Sequence, residues 1–341
     1  MADSPAAHPA STTVPSADSP AAPTPANPTP SPRPHPTPLQ KLRFLVARRL
    51  ANAAHSTDRT LLRLAALLST PSGIDVALGT TGYTLTLLAA LGQRVLTHQL
   101  TAAATSLAEK AAPVMLPGES LVVQLPAPAH TTLLAQSVAS SNAIAAVIAD
   151  YRIFVRMFGL LGLYTWARAT WRAPLPADAA PHERVLRGTT WAALASCVAF
   201  QVLENGAYAA SKGMLTGAGW SGEVGKRRET VWWVWSSRFW AAYVGCEIFR
   251  LGVERACWAP KGKMEGEGDG EKEGKLQAEQ EKREESSKRW AWWKDLASNV
   301  AYAPMTLHWS VEEGLLSELQ VGAFGTVAAG ALLVDAWRKT A

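Results

Sequence analysis

Apolar positions recur at helical intervals over nearly the whole length from Leu39 to Trp337, and no stretch sustains an alternation of period two. That pattern predicts an all-α chain. Leu39, Leu42, Val46 and Leu50 follow one another at three- and four-residue spacing, with Leu45 adjoining, while Lys41, Arg48 and Arg49 occupy much of the other side. A break is expected near His55 and Ser56, where Thr57 and Asp58 offer capping oxygens for a second helix through Ser69. In that second helix Leu61, Leu64, Leu67 and Leu68 form one broad face, and Arg59 and Arg63 sit together opposite it. A basic, leucine-faced helix suits the headgroup plane of an anionic membrane. The same periodicity also describes a helix whose leucines pack on a neighbour.

Four later stretches lack charge altogether: Val76 to Gln93, Leu133 to Ala149, Gly188 to Leu203 and Leu319 to Val334. Sixteen residues reach only about 24 Å as a helix, against a hydrocarbon core of roughly 30 Å, so these are borderline transmembrane helices. Trp337, Arg338 and Lys339 follow the last of them and extend its reach as interfacial anchors. Within it, Gly322 with Thr326 and Gly325 with Ala329 are small residues spaced four apart, a pattern suited to self-association in lipid.

Composition marks two further boundaries. Residues 1–38 hold 12 of the 22 prolines and no Leu, Ile or aromatic residue, which predicts a disordered, Pro-rich arm. Residues 259–289 read as a charged linker whose later part is compatible with a solvated helix. Of 61 charged side chains, 17 fall between residues 261 and 289, so the remaining helices are very short of charge for a soluble protein. The intervening regions are residues 39–258 and 290–341, and the reading for the whole is a helical, membrane-associated bundle. All 14 tryptophans lie from Trp166 onward, as interface anchors or as core.

Catalytic patterns are missing from the sequence. Seven scattered histidines form no metal-ligand spacing, and there is no nucleophile elbow or phosphate loop, so no enzyme, metal or cofactor is expected. Cys197, Cys246 and Cys257 form no CxxC pair, and no disulfide is expected. Asp150, Arg152 and Arg156 lie in one apolar helix and Glu204 with Asn205 in another. They read either as helix-pairing groups or as functional polar residues.

Four segments, in order, resemble the peroxin-eleven proteins of the peroxisomal membrane, especially their fungal C-type branch. They are STDRTLLRLAALLS (56–69), DYRIFVRMFGLLGLYTWA (150–167), FQVLENGAYAASKGML (200–215) with SSRFWAAYV (236–244), and NVAYAPMTLHWSVEEGLL (299–316). Asp150, Arg152, Arg156, Glu204, Asn205, Tyr208 and Lys212 fall where the family tends to place such residues. Pro113, Pro117, Pro126 and Pro128, and the insert 217–229, depart from the family pattern.

The resemblance implies a non-enzymatic peroxisomal membrane protein that promotes elongation, proliferation and fission of the organelle. Its membrane-binding residues would be Lys41, Leu42, Val46, Arg48 and Arg49, and Arg59, Leu61, Arg63, Leu64, Leu67 and Leu68. The partners implied are anionic phospholipid, further copies of the chain through Gly322, Gly325, Thr326 and Ala329, a tail-anchored fission adaptor and a dynamin-related GTPase, with no nucleic acid. The alternative is a pore for small metabolites in the same membrane.

Overall fold

A computed structural model describes residues 38–113, 116, 122, 128–258 and 271–340. Residues 1–37 of the expected arm and residues 259–270 of the expected linker lie outside them. The described residues form eight α-helices, a 3-10 turn and no strand. The chain divides into two units, Met1–Ser56 and Thr57–Ala341. Helix α1, Pro38–Leu68, runs through that division.

The break expected near His55 is therefore absent. No Pro or Gly removes a backbone hydrogen bond there, and Ser, Thr and Asp each cost less than about 0.7 kcal/mol of helix propensity. Pro71 ends α1 instead, by disfavouring helical backbone at the residue before it. It also opens α2, Pro71–Ala111, where the Gly73 N–H donates to Thr70 Oγ1 at 3.1 Å.

The other helices are α3 (Ala129–Arg156), α4 (Gly159–Arg172), α5 (Pro181–Ser211), α6 (Gly222–Ala256), α7 (Glu271–Trp309) and α8 (Glu318–Arg338). At the start of α5 the Ala180 N–H donates to the Glu183 carboxylate at 2.9 Å. The Ser317 N–H donates likewise to Gln320 Oε1 at 2.8 Å ahead of α8. The boundary expected at Arg289 falls inside α7. Pairs such as Glu285 with Arg289, at 3.1 Å, support the solvated half of that helix until its apolar half begins at Trp290.

Within the larger unit α2 packs on α3 and α8, α8 on α7, α7 on α6, and α6 on α5, which also carries α4. Sparse contact between α3 and α5 closes this circuit. Ala207, Val244, Leu251, Met305 and Ala328 are among its most buried side chains.

The crossing of α8 on α2 is made by small residues. A Cβ on Gly322 would lie 2.6 Å from the Leu87 backbone nitrogen, and one on Gly325 would lie 2.3 Å from the Tyr83 ring. Ala329 is buried, and Thr326 turns its hydroxyl back to the Gly322 carbonyl at 2.7 Å. The face expected to join copies of the chain is thus occupied by the chain's own α2. Small-residue spacing permits close helix contact without saying which helix makes it.

Helices α2, α3 and α8 are each long and apolar enough to cross a membrane. The length objection disappears because each helix continues past its charge-free window; α8 with its 21 residues spans about 31 Å. The stretch Gly188 to Leu203 lies in α5, which does not join these three; His182, Glu183, Arg184, Arg187, Gln201 and Glu204 dilute its hydropathy. Leu133, Ile144, Val147 and Phe154 on α3, Leu88, Leu91 and Val95 on α2, and Val327 and Val334 on α8 point away from the protein. An outward apolar surface on three spanning-length helices is what contact with lipid requires.

Candidate functional site: an exposed amphipathic helix and a polar seam

In the first unit Lys41, Leu42, Val46, Arg48 and Arg49 are all exposed, as are Leu39, Phe44, Leu45 and Leu50. In the second unit the leucine face of α1 divides. Leu61, Leu64 and Leu68 are exposed together with Leu62, and Arg59 is exposed on the other side. Leu67 is only 4% exposed and belongs to the interior, so it is not available for membrane insertion.

Arg63 is not free for lipid phosphate either. Its Nη2 donates to the Trp337 carbonyl at 2.6 Å, its Nε donates to Thr340 Oγ1 at 3.3 Å, and its guanidinium lies 4.4 Å from the Trp337 ring centroid. A cation beside the carbonyls at a helix C-terminus also complements the helix dipole. Arg63 therefore ties the end of α1 to the end of α8.

The family-like residues of α3 and α5 form the seam between those helices. Arg156 Nη2 donates to Glu204 Oε1 at 3.0 Å. Lys212 pairs with Asp150 at 2.5 Å, and the Tyr208 hydroxyl donates to the same carboxylate at 3.3 Å. Where α3 stops and α4 begins, the Met157 carbonyl loses its helical partner and accepts from Asn205 Nδ2 at 2.9 Å; Gln201 Nε2 in turn donates to Asn205 Oδ1 at 2.7 Å. Arg152 turns the other way, giving Asp75 of α2 two hydrogen bonds at 2.8 and 3.3 Å. Asp75 and Gln201 are participants that the sequence reading missed. Asp75 had a signal, being the sole acidic residue between Asp58 and Glu109.

A cavity of about 440 Å³ opens beside this seam, lined by Tyr83, Ile148, Arg152, Arg156, Phe200, Glu204, Trp240 and Trp309 among others. Phe200, Trp240 and Trp309 stack in sequence, with centroids 5.9 and 5.6 Å apart. Two buried atoms at the seam, Arg156 Nε and Glu204 Oε2, have no hydrogen-bond partner. Burial pushes the Glu204 carboxyl above its ordinary value, and the neighbouring Arg156 opposes that shift only in part. Burial likewise pushes the Cys197 thiol up to about 12, which keeps it protonated and unreactive. Among the described residues no group of three His, Cys, Asp or Glu side chains is arranged to hold a metal ion.

Helix α4 is a second lipid-type surface that the sequence reading did not single out. It begins three residues after the spanning-length α3 ends, and Leu160, Leu163 and Trp166 are half-buried along it. Outward it shows Leu161, Tyr164 and Trp171 together with Arg168 and Arg172, and Phe158 is exposed just ahead of it, the mixture found at headgroup depth. Its signal was the aromatic and arginine spacing over residues 158–172.

No family model matches the chain, and no solved structure matches it. An uncharacterized protein of Schizosaccharomyces pombe is 26% identical over 191 residues, covering 56% of this chain and 73% of the relative.

Proposed function

We propose that the chain is a non-enzymatic protein of the peroxisomal membrane that elongates this membrane ahead of division by laying α1 among the headgroups. The observation that carries the reading is the Arg63 clamp. The spanning-length α8 ends at Arg338, and Arg63 is bonded to the Trp337 carbonyl at 2.6 Å. If α8 spans, its end lies at headgroup depth, and the clamp supports the reading by holding the last turns of α1, with Leu61, Leu64 and Leu68 exposed, beside that end. Shallow insertion of such a face expands one leaflet and favours a tubular membrane. The organelle, the fission adaptor and the dynamin-related GTPase rest on the resemblance of the four sequence segments.

The full chain, reconstituted into vesicles containing anionic lipid, should draw tubules visible by electron microscopy. Leu61→Glu with Leu64→Glu should abolish tubulation while the protein stays in the bilayer through its spans. Undiminished tubulation by the double variant would refute this use of α1. In cells, a tagged chain should sit on peroxisomes and lengthen them.

A pore is the second reading, favoured by the cavity with Arg152, Arg156 and Glu204 on its wall. Planar bilayers decide it: a pore gives conductance steps whose ion selectivity changes in Glu204→Gln. Silence at every protein density rejects it.

A further inference from the structure

Taking α3 as one of the membrane spans under the reading above, and independently of what α1 does, we infer that the chain pairs with a second copy of itself through Asn142. The charge-free window Leu133 to Ala149 places this residue about 14 Å along the helix from one end and about 10 Å from the other, near the middle of the hydrocarbon. Helix α3 packs extensively on α2 alone, with Val138 against Gly92 and Ile148 against Gly82. Asn142 stands beside that packed row and is exposed, between the exposed Ala139 and Ala146.

A carboxamide at that depth cannot be served by its surroundings. It carries two N–H donors and an acceptor oxygen. Acyl chains offer neither donor nor acceptor, water is excluded, and headgroups lie about 10 Å or more away. Its own helix can take one N–H at the carbonyl four residues back, as Asn299 gives to the Asp295 carbonyl at 2.9 Å. The oxygen finds no such partner, because the N–H groups of the helix are already bonded. A second carboxamide meets the need, each Nδ2–H donating to the other Oδ1. Two copies inserted with one orientation are related by an axis along the membrane normal, so residues of equal depth meet and Asn142 faces Asn142. Ala139 and Ala146 let the two helices approach closely.

The full chain in phosphatidylcholine vesicles tests this, labelled with donor and acceptor fluorophores on the exposed Cys257 after Cys197→Ala and Cys246→Ala. Energy transfer should rise with the protein-to-lipid ratio, and Asn142→Leu should move the midpoint about tenfold higher, the size of hydrogen bonding between helices in lipid. Asn142→Gln, which keeps the carboxamide, should pair nearly as well as the original. In a cysteine-free background Ala146→Cys should form an intermolecular disulfide on mild oxidation, and Ile144→Cys, at similar depth on the far side of α3, should not.

Undiminished transfer in Asn142→Leu, no transfer at any ratio in the chain that keeps Asn142, or equal cross-linking at 144 and 146 overturns the inference. So does reaction of the Asn142→Cys thiol with a water-soluble maleimide present on both sides of the membrane, which would put this flank in water. Leu61→Glu with Leu64→Glu should leave energy transfer intact, and Asn142→Leu should leave resistance to alkaline carbonate extraction intact. Failure of the pairing and failure of α1 as a membrane-remodelling helix are thereby distinguishable.

Discussion

The Arg156–Glu204 pair is asymmetric, and that asymmetry predicts an unequal response to breaking it from either side. The Glu204 side chain is 7% exposed and the Arg156 side chain 36%. Arg156→Met strands a carboxylate in the interior and should cost about 3–5 kcal/mol. Glu204→Leu leaves a guanidinium that water already reaches, so its loss should be about 1 kcal/mol. The double replacement puts apolar groups in both places and should lie within about 1 kcal/mol of the original protein.

Thermal unfolding of the full chain in one fixed detergent reads these differences. At about 2–4 °C per kcal/mol, Arg156→Met should lower Tm by about 6–20 °C and Glu204→Leu by only a few degrees. Acidity adds a second check. A carboxyl raised in the folded state contributes its stability below the unfolded value of about 4.3 and loses it as pH rises through the folded value. Without Arg156 the folded value is higher still, so the deficit of Arg156→Met should be small near the unfolded value and grow as pH rises above it. Equal costs for the two single variants, an additive double variant, or a pH-independent deficit would refute the reasoning.

Three more perturbations separate neighbouring roles. Gly325→Leu must push Tyr83 aside, since even a Cβ there lies 2.3 Å from its ring; Tm should fall by the equivalent of about 3 kcal/mol, and light scattering should show no specific loss of self-association. Leu67→Glu should destabilise the fold in the same assay, whereas Leu64→Glu, one turn away and exposed, should leave Tm within about 2 °C while reducing tubulation. A nitroxide at position 161, in a cysteine-free background, should be more accessible to oxygen than to a water-soluble nickel reagent; the reverse ordering would place α4 in water rather than at headgroup depth.

What the sequence made legible follows from what periodicity measures. Apolar recurrence at three and four identifies helices, and long charge-free windows mark those able to enter lipid, so the helical class and the spanning regions of α2, α3 and α8 were readable. Periodicity carries no information about which surface a face meets. Leu64 and Leu67 are equivalent in the pattern, yet one is exposed and the other is interior. Arg63 and Arg59 are also equivalent, yet only Arg63 reaches the end of α8, 274 residues further along the chain. Gly322 and Gly325 have spacing that serves contact within a chain as well as between chains. The missing break in α1 is a different error, since capping residues permit a helix start but do not compel one.

The polar residues of α3 and α5 admitted two readings, pairing between helices or a functional role, and the geometry divides them. Asp150, Tyr208 and Lys212 bond to one another, Asn205 takes the carbonyl freed where α3 ends, and Arg152 is held by Asp75. The bonds of Asp150, Tyr208, Lys212 and Asn205 join α3 to α5, which otherwise touch sparsely, as directional bonds can do where apolar burial is small. Arg156 and Glu204 make the same kind of bond, but each keeps one buried atom without a hydrogen-bond partner. Helix pairing accounts for everything at the seam except those two atoms. Substitution of Asn205 or Lys212, which serve pairing alone, should therefore loosen the seam and lower Tm.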